Sequence, residues 1–193
     1  MRVRPPVERH GVALILGGAG CLWTDVDAAL KLAGARPMTT DWAEWPLGPV
    51  IATNDAGAAW PGKLDHWATL HPEKLTTWME LRRVRGYPMD FMTWSRMPHP
   101  HVQSVVKSWG STSGLLAVAV ADTRQTHALL CGVPMEPQSH FFDTEPWLNA
   151  DNAWRGWAAN EARMIGWVRS MSGRTAEMLG HPTAVWLHGR GGR

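Results

Sequence analysis

A chain of 193 residues is long enough for one domain with a buried core but short for two, since domains cluster around roughly 100–150 residues. The apolar fraction of 45% suits a globular protein, and no stretch approaches the ~18 consecutive apolar residues that a membrane-spanning helix needs. A formal net charge of +2 gives no support to nucleic-acid binding driven by overall charge. We therefore expect a soluble protein without a membrane partner.

The start of the chain and the cysteines predict a cytoplasmic location. The first apolar run, Val12 to Leu16, is too short for the core of a signal peptide. Cys21 and Cys131 lie far apart and lack the C-x-x-C spacing of zinc and redox sites. The favoured interpretation is two free thiols in a reducing compartment, with a disulfide as the alternative.

The first predicted elements are a strand, a glycine turn and a helix. Val12 to Leu16 is a short apolar run bounded by glycines, which is typical of a strand buried on both faces of a parallel sheet. The turn Gly17–Gly20 leads into a helix predicted from Trp23 to Leu32, with Thr24 or Asp25 as its N-terminal cap.

Strands and helices continue to alternate. Strands are predicted from Pro49 to Thr53 and from Leu64 to Leu70, followed by a helix from Pro72 to Arg85. Between residues 86 and 110 the pattern weakens, and only a short strand at Val102 to Val106 is predicted. The alternation implies crossover connections and a mostly parallel sheet.

The rest of the chain completes the predicted fold. Its predicted elements are a helix at Leu115–Ala121, a strand at Thr126–Gly132, a polar aromatic loop, a helix at Asp151–Ser170 and a short helix at Thr175–Leu179. The fold class is α/β, a Rossmann-like, mostly parallel sheet with helices on both faces in a single domain. We take residues 1–150 as a nucleotide-binding core and 151–193 as a helical extension packed on it.

The glycine turn is the strongest single signal for a ligand. Backbone N–H groups of Gly17, Gly18 and Gly20 lie between a strand and a helix, where they can bind an anion without a charged side chain. The spacing differs from both G-x-G-x-x-G and the Walker pattern, so neither NAD binding nor ATP hydrolysis is predicted. The alternative is a tight turn that holds no ligand.

Two further segments carry polar groups after predicted strands. Asn54 and Asp55 follow the second strand, where open α/β sheets place ligand contacts, and an amide and a carboxylate there are able to bind a ribose or a base edge. A plain Asx-turn is the alternative.

The second of these segments contains Ser111, Thr112, Ser113 and Gly114. They precede a predicted helix, so their backbone N–H groups and hydroxyls form a second candidate phosphate or carboxylate site. At least one of the three hydroxyls is expected to serve only as the helix cap.

Histidines supply the candidate general bases. His140 follows the last predicted strand of the core, and its neighbours Phe141 and Phe142 are expected to lower the local dielectric around it. His71 is the second candidate. No metal site is predicted, because the pair in His99-Pro100-His101 has the wrong geometry for joint ligation.

Tryptophans and arginines raise the question of partners. Thirteen tryptophans stand against one tyrosine, which suggests half-buried rings at a cleft or interface, although core packing is expected for most of them. We interpret the cluster Arg82, Arg83 and Arg85 and the tail at residues 190–193 as solvated surface.

Four segments resemble known families. The segments are Leu16–Leu22, Asn54, Ser111–Gly114 and Leu129–Val133. Together they resemble the core motifs of the bacterial CMP-sialic-acid-dependent sialyltransferases and of the 6-hydroxymethylpterin diphosphokinase-like family. Many uncharacterised relatives of the latter are encoded by phages. The resemblance covers under half of the chain, and the turn here departs from the Gly-Asn-Gly-Pro-Ser of the sialyltransferases.

The resemblance implies a nucleotide-binding role for particular residues. In the sialyltransferases the matching positions contact the nucleotide sugar, which points here to Gly17, Asn54, Thr112, Ser113 and Gly132. We therefore expect a transferase that binds a nucleotide sugar or nucleotide diphosphate and passes a group to an acceptor hydroxyl. The alternatives are a non-catalytic, phage-encoded binding or assembly protein, and an enzyme that modifies nucleic acid.

Overall fold

The computed structural model describes residues 9–190, so the basic N-terminal residues and most of the glycine-arginine tail lie outside it. Its centre is a seven-stranded, all-parallel sheet in the order β5-β4-β3-β2-β1-β6-β7. The strands are β1 (Val12–Leu16), β2 (Val50–Thr53), β3 (His66–Ala68), β4 (Met92–Ser95), β5 (Ser104–Val105), β6 (His127–Cys131) and β7 (Val168–Ser170).

Helices connect these strands and cover both faces of the sheet. They are α1 (Leu22–Leu32), α2 (Ala56–Ala59), α3 (Leu75–Val84), α4 (Ser113–Thr123), α5 (Ala150–Ala158), α6 (Glu161–Met164), α7 (Gly173–Leu179) and α8 (Ala184–Arg190). None of the helices within residues 9–190 is long and apolar enough to cross a membrane.

The central strand β1 shows why the sheet is buried on both sides. Its even-numbered side chains, such as Leu14, pack in a cluster that contains Leu22 and Val26 of α1. Its odd-numbered side chains, such as Ile15, pack in a second cluster that contains Leu116 of α4. Because alternate residues of a strand point to opposite faces, an unbroken apolar run is required here.

The predicted α/β fold is confirmed, and β2, β1 and β6 are adjacent parallel strands as expected. Two local predictions were wrong. β4 was missed, since Met92–Ser95 lies in a segment rich in prolines. The helix predicted to run to Ser170 ends earlier, and Val168–Ser170 is a strand paired with β6. The C-terminal segment therefore contributes to the sheet itself.

The predicted cap of α1 was also wrong. Cys21 occupies the N-cap position, and neither Thr24 nor Asp25 accepts a capping bond. Instead the buried carboxylate of Asp25 accepts bonds from the N–H of Gly132 (2.8 Å) and the hydroxyl of Ser172 (2.7 Å). Asp25 thereby ties α1 to the loops that follow β6 and β7.

The arginine cluster is only partly a solvated surface. Arg82 is fully buried, and its guanidinium donates to the carbonyls of Gly57, Trp60, Gly62 and Pro88. Burial lowers the pKa of Arg82 to about 10. This side chain therefore fixes the loop that follows α2, whereas Arg83 pairs with a neighbouring carboxylate on the exposed face of α3.

The tryptophans act mainly as core residues, as expected for most of them. Six are buried, and six of the seven half-buried ones pack against the two core clusters. Several indole N–H groups bond to backbone carbonyls, including those of Trp45 to Val12 and Trp67 to Asn54, both at 2.6 Å. Such bonds satisfy the polar end of a ring whose body is buried.

Candidate active site

A cleft of about 280 Å³ opens at the carboxyl ends of the strands. It lies where β1 is flanked by β2 on one side and β6 on the other, which is the switch point at which open α/β sheets bind ligands. The lining residues are Gly17, Gly18, Ala19, Thr53, Asn54, Leu70, His71, Ser111, Thr112, Ser113, Gly114, Gly132, Val133, Pro134, Met135, Glu136, Gln138, Ser139, His140 and Trp147.

Most residues singled out from the sequence meet in this cleft. The exceptions are Gly20 and Asp55, which do not line it, although Asp55 lies directly beneath Gly18 and His140. Segments far apart in sequence converge because the carboxyl ends of parallel strands share one edge of the sheet.

The Gly17–Gly20 turn uses most of its N–H groups within the protein. Gly17 donates to Cys131 (2.8 Å), Ala19 to Gly132 (3.1 Å) and Gly20 to Ser139 (2.8 Å). Within the described chain, the N–H of Gly18 is the one in this turn that has no protein acceptor. The turn therefore offers far less to an anion than its sequence suggests.

Close packing explains the glycine at position 17. A Cβ atom there would lie 2.1 Å from the carbonyl oxygen of Gly132 and 2.6 Å from a methyl group of Val133. Gly132 itself has φ +68° and would place a Cβ against Leu22. The two glycines allow the ends of β1 and β6 to approach closely, which is a structural requirement.

Asn54 is held with its amide N–H₂ available to the cleft. It adopts φ +47°, a left-handed conformation that asparagine tolerates better than most residues. Its Oδ1 accepts bonds from the hydroxyls of Thr69 (2.9 Å) and Ser113 (3.0 Å). These two bonds fix the amide orientation, and Nδ2 has no acceptor within residues 9–190.

The start of α4 presents unused donors. The Thr112 hydroxyl caps the helix by accepting from the N–H of Leu115 (3.2 Å). The N–H groups of Ser111, Thr112, Ser113 and Gly114 donate to no acceptor in the described part of the chain. With the positive end of an 11-residue helix behind them, they favour a negatively charged group.

His140 borders the cleft with one ring nitrogen turned inward. The backbone of its loop pairs with the glycine turn, where Phe141 donates to Gly18 (3.0 Å). The ring contacts Phe142 and Trp147. Nδ1 is buried without a hydrogen-bond partner among the described residues, which leaves Nε2 as the nitrogen available to the cleft.

Asp55 is a second buried polar group beside the cleft. Its Oδ2 atom is buried and has no partner within residues 9–190. Burial raises the pKa of this carboxyl, against smaller opposing effects that include the charges of His140 and Lys74. Buried polar atoms are normally paired, so an orphaned atom here calls for a functional explanation.

The other histidine candidate is placed differently. His71 lines the cleft, but its side chain is 55% exposed and its Nδ1 lies 3.4 Å from Glu73. An exposed ring at the rim, next to Glu73, is less constrained than His140. The structure therefore separates the two candidates by burial.

Apart from His140, sequence reasoning missed the residues that the loop after β6 contributes to the cleft. Met135, Glu136, Gln138, Ser139 and Trp147 all line the cleft. The side chain of Gln138 accepts the N–H of Cys21 (3.2 Å), which anchors the loop on the glycine turn. The only sequence signal was the polar, aromatic composition of the segment.

The cysteines next to the site are free thiols. Burial raises the pKa of Cys21 to about 11, and the nearby carboxylate of Asp25 adds to the shift. Burial likewise raises the pKa of Cys131. Because the thiolate is the reactive form, neither side chain is suited to act as a nucleophile at neutral pH.

Acidic side chains and histidines do not cluster here as metal ligands do. Among residues 9–190, no three His, Cys, Asp or Glu side chains are placed to hold a metal ion together.

Comparison of the chain with protein-family models, with curated proteins and with solved structures gave no match. Function is therefore inferred from the chemistry of the cleft itself.

Proposed function

We propose that this protein is a transferase that binds a nucleotide sugar or a nucleotide diphosphate and passes a group to an acceptor hydroxyl. The observation that carries the proposal is the set of unused donors in the cleft. The amide of Asn54 and the N–H groups of Ser111–Gly114 have no protein acceptors in the described chain. Donors that are fixed but unused are suited to bind the oxygens of a ligand.

The phosphate groups belong at the start of α4. Four N–H groups and the helix dipole act together there, and the site needs no charged side chain. The N–H of Gly18 supplies a further donor from the opposite wall. The cleft volume of about 280 Å³ lies at the lower end of the range for small-molecule sites, so part of a nucleotide would extend beyond it.

His140 is the group best placed to accept the proton of the acceptor hydroxyl. In this step the acceptor oxygen forms a bond to phosphorus or to the sugar carbon, and its proton passes to Nε2. The bond to the departing nucleotide oxygen breaks, and that oxygen keeps the electron pair. The donors at Ser111–Gly114 stabilise the negative charge that develops there.

The nucleic-acid alternative has less support. Stacking on bases requires available aromatic faces, and four tryptophans already have an arginine of the same chain over the ring. Arg9 lies 3.7 Å from the ring centre of Trp167, and Arg163 lies 4.2 Å from that of Trp109. In these pairs the ring face is not available to stack on a base, and the arginine is not available to bind a phosphate.

A thermal-shift screen tests the proposal. CMP, UDP, GDP, ADP and the corresponding nucleotide sugars are the probes, and a ligand at 100 times its Kd adds about 2.7 kcal/mol to the free energy of unfolding. Stabilisation by one of them, but not by its nucleoside, is the expected result. If none stabilises the protein at millimolar concentration, the non-catalytic alternative is favoured.

A charge-reversal pair shows whether the ligand uses the proposed site. Ser111 is exposed, so Ser111→Asp leaves the fold intact while placing a carboxylate beside the free N–H groups. The matched control is Ser111→Asn, which has nearly the same shape without the charge. We expect the aspartate variant to lose the stabilisation and the asparagine variant to keep it.

A further inference from the structure

Asp55 and His140 face the same small space beside Gly18. A Cβ atom at Gly18 would lie 2.9 Å from His140 Nδ1 and 3.8 Å from Asp55 Oδ1. The space between carboxylate and imidazole thus depends on the missing side chain at position 18. The pairing of the glycine turn with the loop at Ala19 and His140 fixes the His140 side of this space.

Both residues carry a buried atom that lacks a partner. These atoms are Asp55 Oδ2 and His140 Nδ1, and neither bonds to any group in the described chain. The ionised carboxylate of Asp55 accepts hydrogen bonds, and a protonated Nδ1 of His140 donates one, so the two groups have complementary hydrogen-bonding chemistry. Two residues that flank Gly18 and that each carry a buried polar atom without a partner are hard to explain by core packing alone.

We propose that Asp55 is a positioning residue for His140, and that Nδ1–H of His140 donates to the Asp55 carboxylate through one bridging water molecule in the space beside Gly18. A carboxylate facing Nδ1 keeps the proton on that nitrogen. Nε2 is then unprotonated and faces the cleft, which is the form a general base requires. The inference deepens the role proposed for His140 in the transferase reaction.

The same arrangement supports the imidazolium formed in the reaction. When Nε2 takes the proton of an acceptor hydroxyl, the ring gains a positive charge next to Asp55. The buried carboxylate stabilises that charge without itself taking up the proton. Burial raises the pKa of Asp55 and opposes its ionisation, whereas the positive charges of His140 and Lys74 favour the ionised form.

The tautomer of the His140 ring tests this inference without any ligand. Long-range ¹H–¹⁵N NMR spectra identify the protonated ring nitrogen, and His140→Gln assigns the signal among the nine histidines. The measurement is made in mildly alkaline buffer, because the tautomer is defined only for a neutral ring. We expect the Nδ1–H tautomer in the wild-type protein.

Two variants and one control complete the experiment. Asp55→Ala removes the carboxylate, and Gly18→Ala fills the space with a methyl group; both should shift the ring towards the Nε2–H tautomer. Asp143→Ala is the control, because the side chain of Asp143 is exposed and accepts only from the N–H groups of Thr144 and Glu145, while its backbone bond to His140 does not depend on the side chain. That variant should leave the tautomer unchanged.

A ring that keeps Nδ1–H in Asp55→Ala, or a wild-type ring in the Nε2–H form, overturns the inference. If Asp55→Ala fails to fold, Gly18→Ala answers the same question, since the nearest atoms to its added methyl belong to the side chains of His140 and Asp55 and not to the backbone. The result is independent of the nucleotide screen. A failed screen would contradict the proposed function while leaving the tautomer result standing, and the reverse also holds.

Discussion

The turn at Gly17–Gly20 and the helix start at Ser111–Gly114 border the same cleft, and the sequence predicts an anion site at each. In the turn, the N–H groups of Gly17, Ala19 and Gly20 donate to carbonyl oxygens at the end of β6 and in the loop that follows it. At the helix start, four successive N–H groups have no acceptor within residues 9–190. The difference shows that glycines can serve close packing, and that a ligand site is better recognised by donors left unused.

The largest expected effect comes from replacing His140, the proposed general base of the cleft that both segments border. With the donor found in the screen, His140→Gln should leave ligand binding within a few-fold and lower turnover by about 10²–10⁴. His181→Gln is the control, since that exposed histidine does not line the cleft. Unchanged turnover in the His140 variant would transfer the role to His71.

Gly17→Ala tests whether the turn is primarily structural. The new Cβ would lie 2.1 Å from the backbone oxygen of Gly132, so we expect a loss of about 3 kcal/mol in the free energy of unfolding. Gly156→Ala in α5 is the matched control, because its nearest neighbouring atom would be 3.6 Å away. Urea unfolding measures both, and equal stabilities would contradict the packing role.

Asn54→Asp tests the side-chain N–H₂ of Asn54, which has no acceptor within residues 9–190. The carboxylate can still accept from Thr69 and Ser113, but it replaces a donor to the ligand by a negative charge. Losing one bond to a charged group costs about 2 kcal/mol, or roughly 30-fold in Kd. Asn152→Asp carries the same charge change on the exposed face of α5, and a comparable loss there would point to overall charge instead.

The smallest effect concerns the thiol next to the turn. Because burial raises the pKa of Cys21 to about 11, its thiol stays protonated at neutral pH. Iodoacetamide should therefore label the folded protein much more slowly than the unfolded protein. Raising the pH towards 11 should accelerate labelling. Rapid labelling near neutral pH would mean that the turn opens and that its N–H groups are less occupied than the structure indicates.

Much of this arrangement could be predicted from the sequence because it depends on local pattern. Val12–Leu16 and residues 128–131 are apolar runs buried on both faces, and polar groups after parallel strands necessarily share one edge. The short strand Val168–Ser170 could not be predicted, since three residues show no periodicity and its pairing with β6 is set by tertiary contacts.

The use of the N–H groups was equally hidden from the sequence. Gly20 gives its N–H to Ser139, a partner more than a hundred residues away whose position depends on the loop anchored by Gln138. Local sequence therefore indicated where donors lie but not which of them remain available. The free helix start was the weaker signal in the sequence and is the stronger site in the structure.

Backbone NMR compares the two segments in a single measurement. On titration of the ¹⁵N-labelled protein with ADP, or with the nucleotide selected by the screen, the amide signals of Ser111, Thr112, Ser113 and Gly114 should shift most. Those of Ala19 and Gly20, which already donate within the protein, should move little. Large shifts at Ala19 and Gly20 with none at residues 111–114 would contradict the assignment of the phosphate site to the start of α4.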